Sequence, residues 1–167
     1  MLDYSKLRKI LTLPDGVSVP EDLTYGNIFA RPLTREDVDD DLAGVNSSIE
    51  IIKKTRGGSW PSGVLNKDDD LLDLAWHEHE FRDGDSFAYV LYTDKNEYVG
   101  CIYLYAIGVR TPLNEQNHDY EVDASWWVTS DMYENGYYEK VYEALQKWLA
   151  EDFKFSKIIY SNAIIPQ

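Results

Sequence analysis

From Tyr138 onward, apolar residues recur at Val141, Tyr142, Leu145, Trp148 and Leu149. These are the i+3, i+4, i+7, i+10 and i+11 positions that make one continuous face of a helix. Glu143 and Lys147 add an opposite-charge pair one turn apart. Runs rich in aromatic and β-branched residues flank the segment at 120–129 and 157–165, and both read as strands. Two strands joined through a helix at this spacing lie parallel, and such crossovers are right-handed in nearly all proteins. The chain therefore has to build a sheet with a parallel pair near its carboxyl end.

The residues before that unit predict antiparallel strands and a layer of helices. Residues 27–33 read as a strand closed by Pro32, and Thr34 with Asp37 resembles a capping box for a helix carrying Val38 and Leu42. A second helix through Ile49, Ile51 and Ile52 ends at Gly57 and Gly58, and Ser59, Trp60, Pro61, Ser62 and Gly63 follow as a loop that Trp60 anchors. Asp68, Asp69 and Asp70 favour the start of a third helix through Leu71, Leu74, Ala75 and Phe81, which Asp83, Gly84 and Asp85 stop. Residues 87–92 and 99–106, joined by a polar turn at 94–97, form a hairpin in which Gly100 marks a bulge. In residues 1–26, Leu7, Ile10 and Leu11 sit at helical spacing ahead of the breakers Pro14, Asp15, Gly16 and Pro20. They predict a leader packed on a single domain that spans 1–167.

A length of 167 residues suits one domain, and 44% hydrophobic residues with 14% aromatic supply a core for it. Thirty acidic residues against 16 basic give a formal charge of −14, so the surrounding field repels polyanions and attracts cations, which argues against a nucleic-acid partner. The lone cysteine, Cys101, can form no internal disulfide and lies in an apolar run, as expected of a protein in a reducing compartment. No apolar stretch nears the roughly 20 residues that span a bilayer, and the first residues lack a signal-peptide core. The expectation is a cytoplasmic protein with no membrane partner.

The order of hairpin, central strand, helix opening at a glycine and parallel strand resembles the core of the GCN5-related N-acetyltransferases (GNAT). The resemblance covers about residues 27–165, and its specific pieces are Arg31, Pro32 and Leu33, then Gly100, Cys101 and Ile102, then residues 123–128. It implies an α/β (α+β) fold with a mixed central sheet, antiparallel at its amino end and closed by the parallel β-α-β crossover. It also implies acetyl-CoA as cofactor and the amine of a small molecule or peptide as acceptor, attacked directly with no acyl-enzyme.

Carried over residue by residue, the resemblance implies that Trp127, Val128 and Thr129 offer backbone to the pantetheine arm. The turn through Tyr133, Asn135, Gly136, Tyr137 and Tyr138 would hold the pyrophosphate. The family's phosphate signature falls on Tyr133, Gly136 and Tyr138, and only the glycine is retained. A helix amino end still offers unpaired N–H groups and partial positive charge to a phosphate. Around it, however, Asp131, Glu134 and Glu139 face a single Lys140, a formal charge of −2. Asp123 stands where relatives carry a glutamate and is the candidate base, the alternative being a solvated strand carboxylate. Asn162 is placed to hydrogen-bond the acyl arm or to serve structure alone, and the loop at Trp60 to contact substrate. Many relatives place a thiolate-protonating tyrosine on a further helix; no residue maps to it, leaving Tyr137, Tyr138 or water as the acid. Trp126 and Trp127 point to opposite faces of a regular strand; one is expected in the core and the other is a candidate to line a cleft, with core the first reading of either.

Other chemistries find little support. His77 and His79 are two apart on a helix and face away from each other, whereas a zinc-protease helix needs them four apart, so no metal is expected. No nucleophile elbow, Walker loop or paired-cysteine motif occurs. The alternative to an enzyme is a noncatalytic protein of the same fold that serves as a ligand-binding or interaction module, with a homodimer joined at exposed edges as one form of it.

Overall fold

The computed structural model describes residues 9–167. Six strands form one sheet in sequence order: β1 (Leu23–Tyr25), β2 (Ile28–Pro32), β3 (Phe87–Thr93), β4 (Tyr98–Tyr105), β5 (Val122–Val128) and β6 (Ile158–Tyr160). The first five pair antiparallel, and β5 with β6 is parallel. The helices are α1 (Val38–Asn46), α2 (Ile49–Arg56), α3 (Lys67–Asp83), the single turn α4 (Ser130–Glu134) and α5 (Tyr137–Glu151).

Alternation along the strands divides the core in two. Phe87, Tyr89 and Leu91 of β3 and Val122, Ala124, Trp126 and Val128 of β5 pack with Val141, Leu145, Trp148 and Leu149, the apolar face of α5. Ala88, Val90 and Tyr92, with Cys101, Tyr103 and Trp127, pack on the other face against Val38, Val45, Ile52 and Leu74 from α1, α2 and α3. The predicted bulge is present: the β3–β4 register shifts at Leu91/Tyr92, and Val99 and Cys101 fall on opposite faces although they are two residues apart. Gly100 is required there, because a Cβ would lie 2.0 Å from the Trp127 carbonyl oxygen of the next strand.

The capping box is formed: Thr34 Oγ1 accepts from the Glu36 amide and Asp37 accepts from the Thr34 amide, although the turn it opens is 3-10 before α1 begins. Three expectations need correction. The leader contributes a strand, β1, hairpinned to β2 through Gly26. No helix runs from Ile10 onward; Leu11 instead donates its amide to Asp85 and is buried, while Leu7 lies outside the described residues. The final strand stops at Tyr160, because after Ser161 the chain leaves the sheet and Ala163 and Ile164 pair with α2. Trp126 and Trp127 point to opposite faces and both are fully buried, as the core reading of each expects, since each face of β5 is covered by helices. Among the described residues no helix is long and apolar enough to cross a membrane.

Candidate active site

The parallel pair parts early. β5 and β6 are matched only from Val122/Ile158 to Ala124/Tyr160, with one further bond from the Ser161 amide to the Ala124 carbonyl. Beyond that point β5 continues toward Val128 paired with β4 but without β6. The Thr129 amide donates to Val99 of β4, so the alternation of an antiparallel ladder turns the amides of Val128 and Trp126 the other way, toward the side β6 has left. Of the three residues expected to offer backbone, Val128 alone faces the gap.

Asn162 fills the rung at Trp126. Its Oδ1 accepts from the Trp126 amide (3.1 Å), and its Nδ2 donates both to the Trp126 carbonyl (2.9 Å) and to the Tyr138 hydroxyl (2.8 Å). The following residues reach α2, Ala163 donating to the Arg56 carbonyl and Ile164 to that of Thr55. Tyr138 locks this arrangement: its ring stacks on Trp126 with centroids 5.0 Å apart, and its hydroxyl donates to the Ile164 carbonyl at 2.5 Å. Burial pushes its phenol up to about 12, so its proton is committed to the fold rather than poised for a leaving group.

The loop before α5 keeps the left-handed turn that the retained glycine provides. Gly136 has φ +83, and a Cβ there would meet nothing within 4 Å. Thr129 caps α4 through its side chain, and the exposed Asn135 folds back on α4, its Nδ2 donating to the Asp131 carbonyl at 2.7 Å. The Tyr137 hydroxyl accepts from Asn27, and Lys140 is bonded to Asn27 and lies over the Tyr137 ring. Tyr133 lines a hollow beside the loop together with Ser130, Glu134, Glu50, Ile51 and Lys54. Lys54, from α2, is a cation at this loop that no local motif announces.

Asp123 lies on the α2 side of β5 and is 1% exposed, which removes the solvated alternative. It accepts from Ser161 Oγ (2.5 Å) and Thr111 Oγ1 (3.1 Å). Burial raises its pKa against the lowering effect of those two donors and of Arg110 and Arg56. Next to it a groove opens between the sheet and α3. Arg56, Trp60, Asp73, Trp76, His77, Glu80, Tyr103, Tyr105 and Val109 line one hollow of about 340 Å³. A second of about 420 Å³ shares Arg56 and Trp60 and adds Arg110, Thr111, Ser161 and the 57–59 turn. Trp60 thus stands at the junction, its ring 6.3 Å from that of Trp127.

Asp73, His77 and Glu80 share one face of α3 by their i, i+4, i+7 spacing, and Asp73 is the member of that face that the pattern of the two histidines does not point to. His79 points elsewhere, to Asp83 and Arg82. A wider hollow of about 820 Å³ lies between residues 9–12 and the 106–113 loop, where it borders the part of the chain outside the described residues. Among the described residues no cluster of His, Cys, Asp and Glu suits a metal ion.

No family model matches this sequence, and no curated protein matches it. Solved structures do. RimL, a ribosomal L7/L12 alpha-N-protein acetyltransferase in complex with coenzyme A, superposes with a TM-score of 0.62 at 14% identity, over 83% of this chain and 72% of that one. A ribosomal-protein-S5-alanine acetyltransferase from Vibrio fischeri gives 0.61 at 8% identity, over 83% and 72%. A GNAT-family acetyltransferase from Bacillus anthracis gives 0.59 at 14%, over 82% and 70%. The strand order, the parting of β5 from β6 and these superpositions together show that the chain has the fold of the GCN5-related N-acetyltransferases.

Proposed function

We propose that this protein is an acetyl-CoA-dependent N-acetyltransferase acting on the amine of a small molecule or peptide. The observation that carries this reading is the Asn162 carboxamide at Trp126. It makes the pair of bonds, one accepted from the N–H and one donated to the C=O, that an amide of an extended ligand would make on the same rung. The side chain is a stand-in for a ligand amide, and the rung accepts amide chemistry. Coenzyme A fits the surrounding residues on that basis: Val128 and Trp126 would meet the pantetheine arm, and the amino end of α5 at Gly136 with Lys54 would meet the phosphates. Bound there, acetyl-CoA supplies an activated acetyl group as its thioester.

The chain's own part is to position an amine and take its proton. Asp123 reaches the groove through its donors Ser161 and Thr111, which line it, and its raised pKa makes it a better proton acceptor than an ordinary aspartate once ionised. Ser161 and Thr111 fix its orientation. Acidic side chains in the groove favour a cationic acceptor. A cytoplasmic setting agrees with the buried free thiol of Cys101.

One observation favours a second reading, a noncatalytic ligand-binding module. The rung is held by Asn162 and closed by Tyr138, and the loop carries three acids. Release of free coenzyme A thiol from acetyl-CoA in the presence of an amine panel separates the two. The enzyme reading expects amine-dependent thiol release; its absence with every amine, together with no binding of acetyl-CoA, leaves the module reading.

A further inference from the structure

Two arginines meet at the hollow that Ser161 and Thr111 line, and neither is paired with an acid. Arg56 is 7% exposed, and its guanidinium is held by Ser125 Oγ, 3.2 Å from Nε, and by the Tyr103 ring, whose centre is 4.4 Å away. Among the described residues its two terminal nitrogens make no hydrogen bond and have no carboxylate within ion-pair distance. A buried guanidinium in that state is costly, because nothing replaces the water it has lost. Arg110 is half-buried, and its Nη2 donates to the Arg56 carbonyl (2.7 Å) and reaches the Gly57 carbonyl at 3.5 Å, which closes the end of α2. The other nitrogens of its fork make no bond among the described residues. Burial first, and then repulsion from Arg56, lower the Arg110 pKa.

The carboxylate behind this hollow does not answer them. Asp123 gives its two oxygens to Ser161 Oγ (2.5 Å) and Thr111 Oγ1 (3.1 Å), and to no guanidinium. Two cations and one carboxylate leave a formal surplus of one positive charge. Asp73 and Glu80 line the neighbouring hollow and not this one. In a chain of formal charge −14, a cavity that gathers two arginines runs against the field of the whole molecule. The hollow holds about 420 Å³, a size that takes a small molecule, and Trp60 and Pro112 give it an apolar wall.

We propose that this hollow binds a small monocarboxylate, with its carboxylate at Arg56 and Arg110 and its apolar body against Trp60. A planar carboxylate matches the donor fork of a guanidinium, which a neutral amide matches only in part. A single negative charge cancels the local surplus, whereas a dianion would exceed it and meet the repulsion of an acidic protein. The site goes beyond the transferase reading and does not rest on it, since binding here needs neither acetyl-CoA nor an amine.

Titration calorimetry of the full chain with benzoate, benzamide and inorganic phosphate tests it: benzamide keeps the shape of benzoate without its charge, and phosphate keeps negative charge without an apolar body. Benzoate is expected to bind, and the other two to bind at least about tenfold more weakly. Arg110→Gln keeps a donor for the Arg56 carbonyl but removes the charge, so it should weaken benzoate by about tenfold and leave benzamide unchanged. Arg110→Lys keeps the charge without the fork and should fall between the wild type and Arg110→Gln. Melting curves check that both variants stay folded, and the comparison of the three ligands on the wild type decides the matter even if they do not. No benzoate binding at millimolar concentration, benzamide or phosphate binding as tightly as benzoate, or a folded Arg110→Gln that binds benzoate like the wild type overturns the proposal. Acetyl-CoA binding without benzoate binding defeats this inference alone; benzoate binding without acetyl-CoA binding upholds it and defeats only the transferase reading.

Discussion

Replacing Asp70 by Asn should make the protein more stable, by an amount that depends on pH. Asp70, in the first turn of α3, is 1% exposed, and neither carboxylate oxygen has a hydrogen-bond donor in reach. The group it faces is another buried carboxyl, Asp41 of α1, which already accepts from Tyr98 Oη (2.8 Å) and lies 3.6 Å from Cys101 Sγ. Two such carboxyls are satisfied only if one proton sits between them. Burial, then Asp41, then Asp73 push the Asp70 pKa from 3.8 to about 8.

The folded chain therefore holds a proton that the unfolded chain has released throughout the window from 3.8 to about 8. The contribution is fully present below the lower value and is lost as pH rises through the window, at about 1.4 kcal/mol per pH unit. At pH 7 that amounts to about 4 kcal/mol at most. Asparagine keeps a donor for Asp41 and needs no proton, so Asp70→Asn should gain about 2–3 kcal/mol at pH 7, roughly 5–10 °C in Tm. The gain should shrink toward zero near pH 4. Urea unfolding of both proteins from pH 4 to 8 reads the difference directly. A destabilised variant at pH 7, or a gain that does not change with pH, would refute the shared proton.

Three other substitutions probe the sheet, the closure of the gap and the base. Gly100→Ala should cost at least about 3 kcal/mol in urea unfolding, because the added carbon meets backbone on β5 that has nowhere to move. Tyr138→Phe leaves the Ile164 carbonyl without its donor and one Asn162 N–H without an acceptor; a loss of about 1–3 kcal/mol is expected, with faster amide exchange at Ala163 and Ile164. If the chain acetylates amines, Asp123→Asn should lower turnover by about a hundredfold or more. Wild-type turnover should then rise with pH through a value above the ordinary aspartate range, since burial raises that pKa and the base works ionised. Unchanged turnover removes Asp123 from that role.

The architecture was legible where period and punctuation agree. The α5 stripe, the Thr34–Asp37 box, the glycine stops of α2 and α3 and the Gly100 bulge all follow from local chemistry, and each appears where expected. Strand β1 was hidden because three residues carry no period and owe their conformation to pairing with β2. The end of β6 was overrun because apolar residues at 163–165 look like strand, whereas the Thr55 and Arg56 carbonyls draw them out of the sheet. The groove was the least visible part. Arg56, Asp73, His77, Glu80, Tyr105 and Arg110 come from two helices, a strand and a loop, and only the fold makes them neighbours.

The central claim is that the rung at Trp126 receives a ligand amide for which Asn162 stands in. Isothermal titration of acetyl-CoA into the wild-type protein and into Asn162→Ala tests it most directly, with melting curves to confirm that both are folded. The account predicts saturable binding to the wild type and tighter binding to the variant, in which the Trp126 amide and carbonyl no longer have to exchange partners. No heat from either protein at millimolar acetyl-CoA would contradict it.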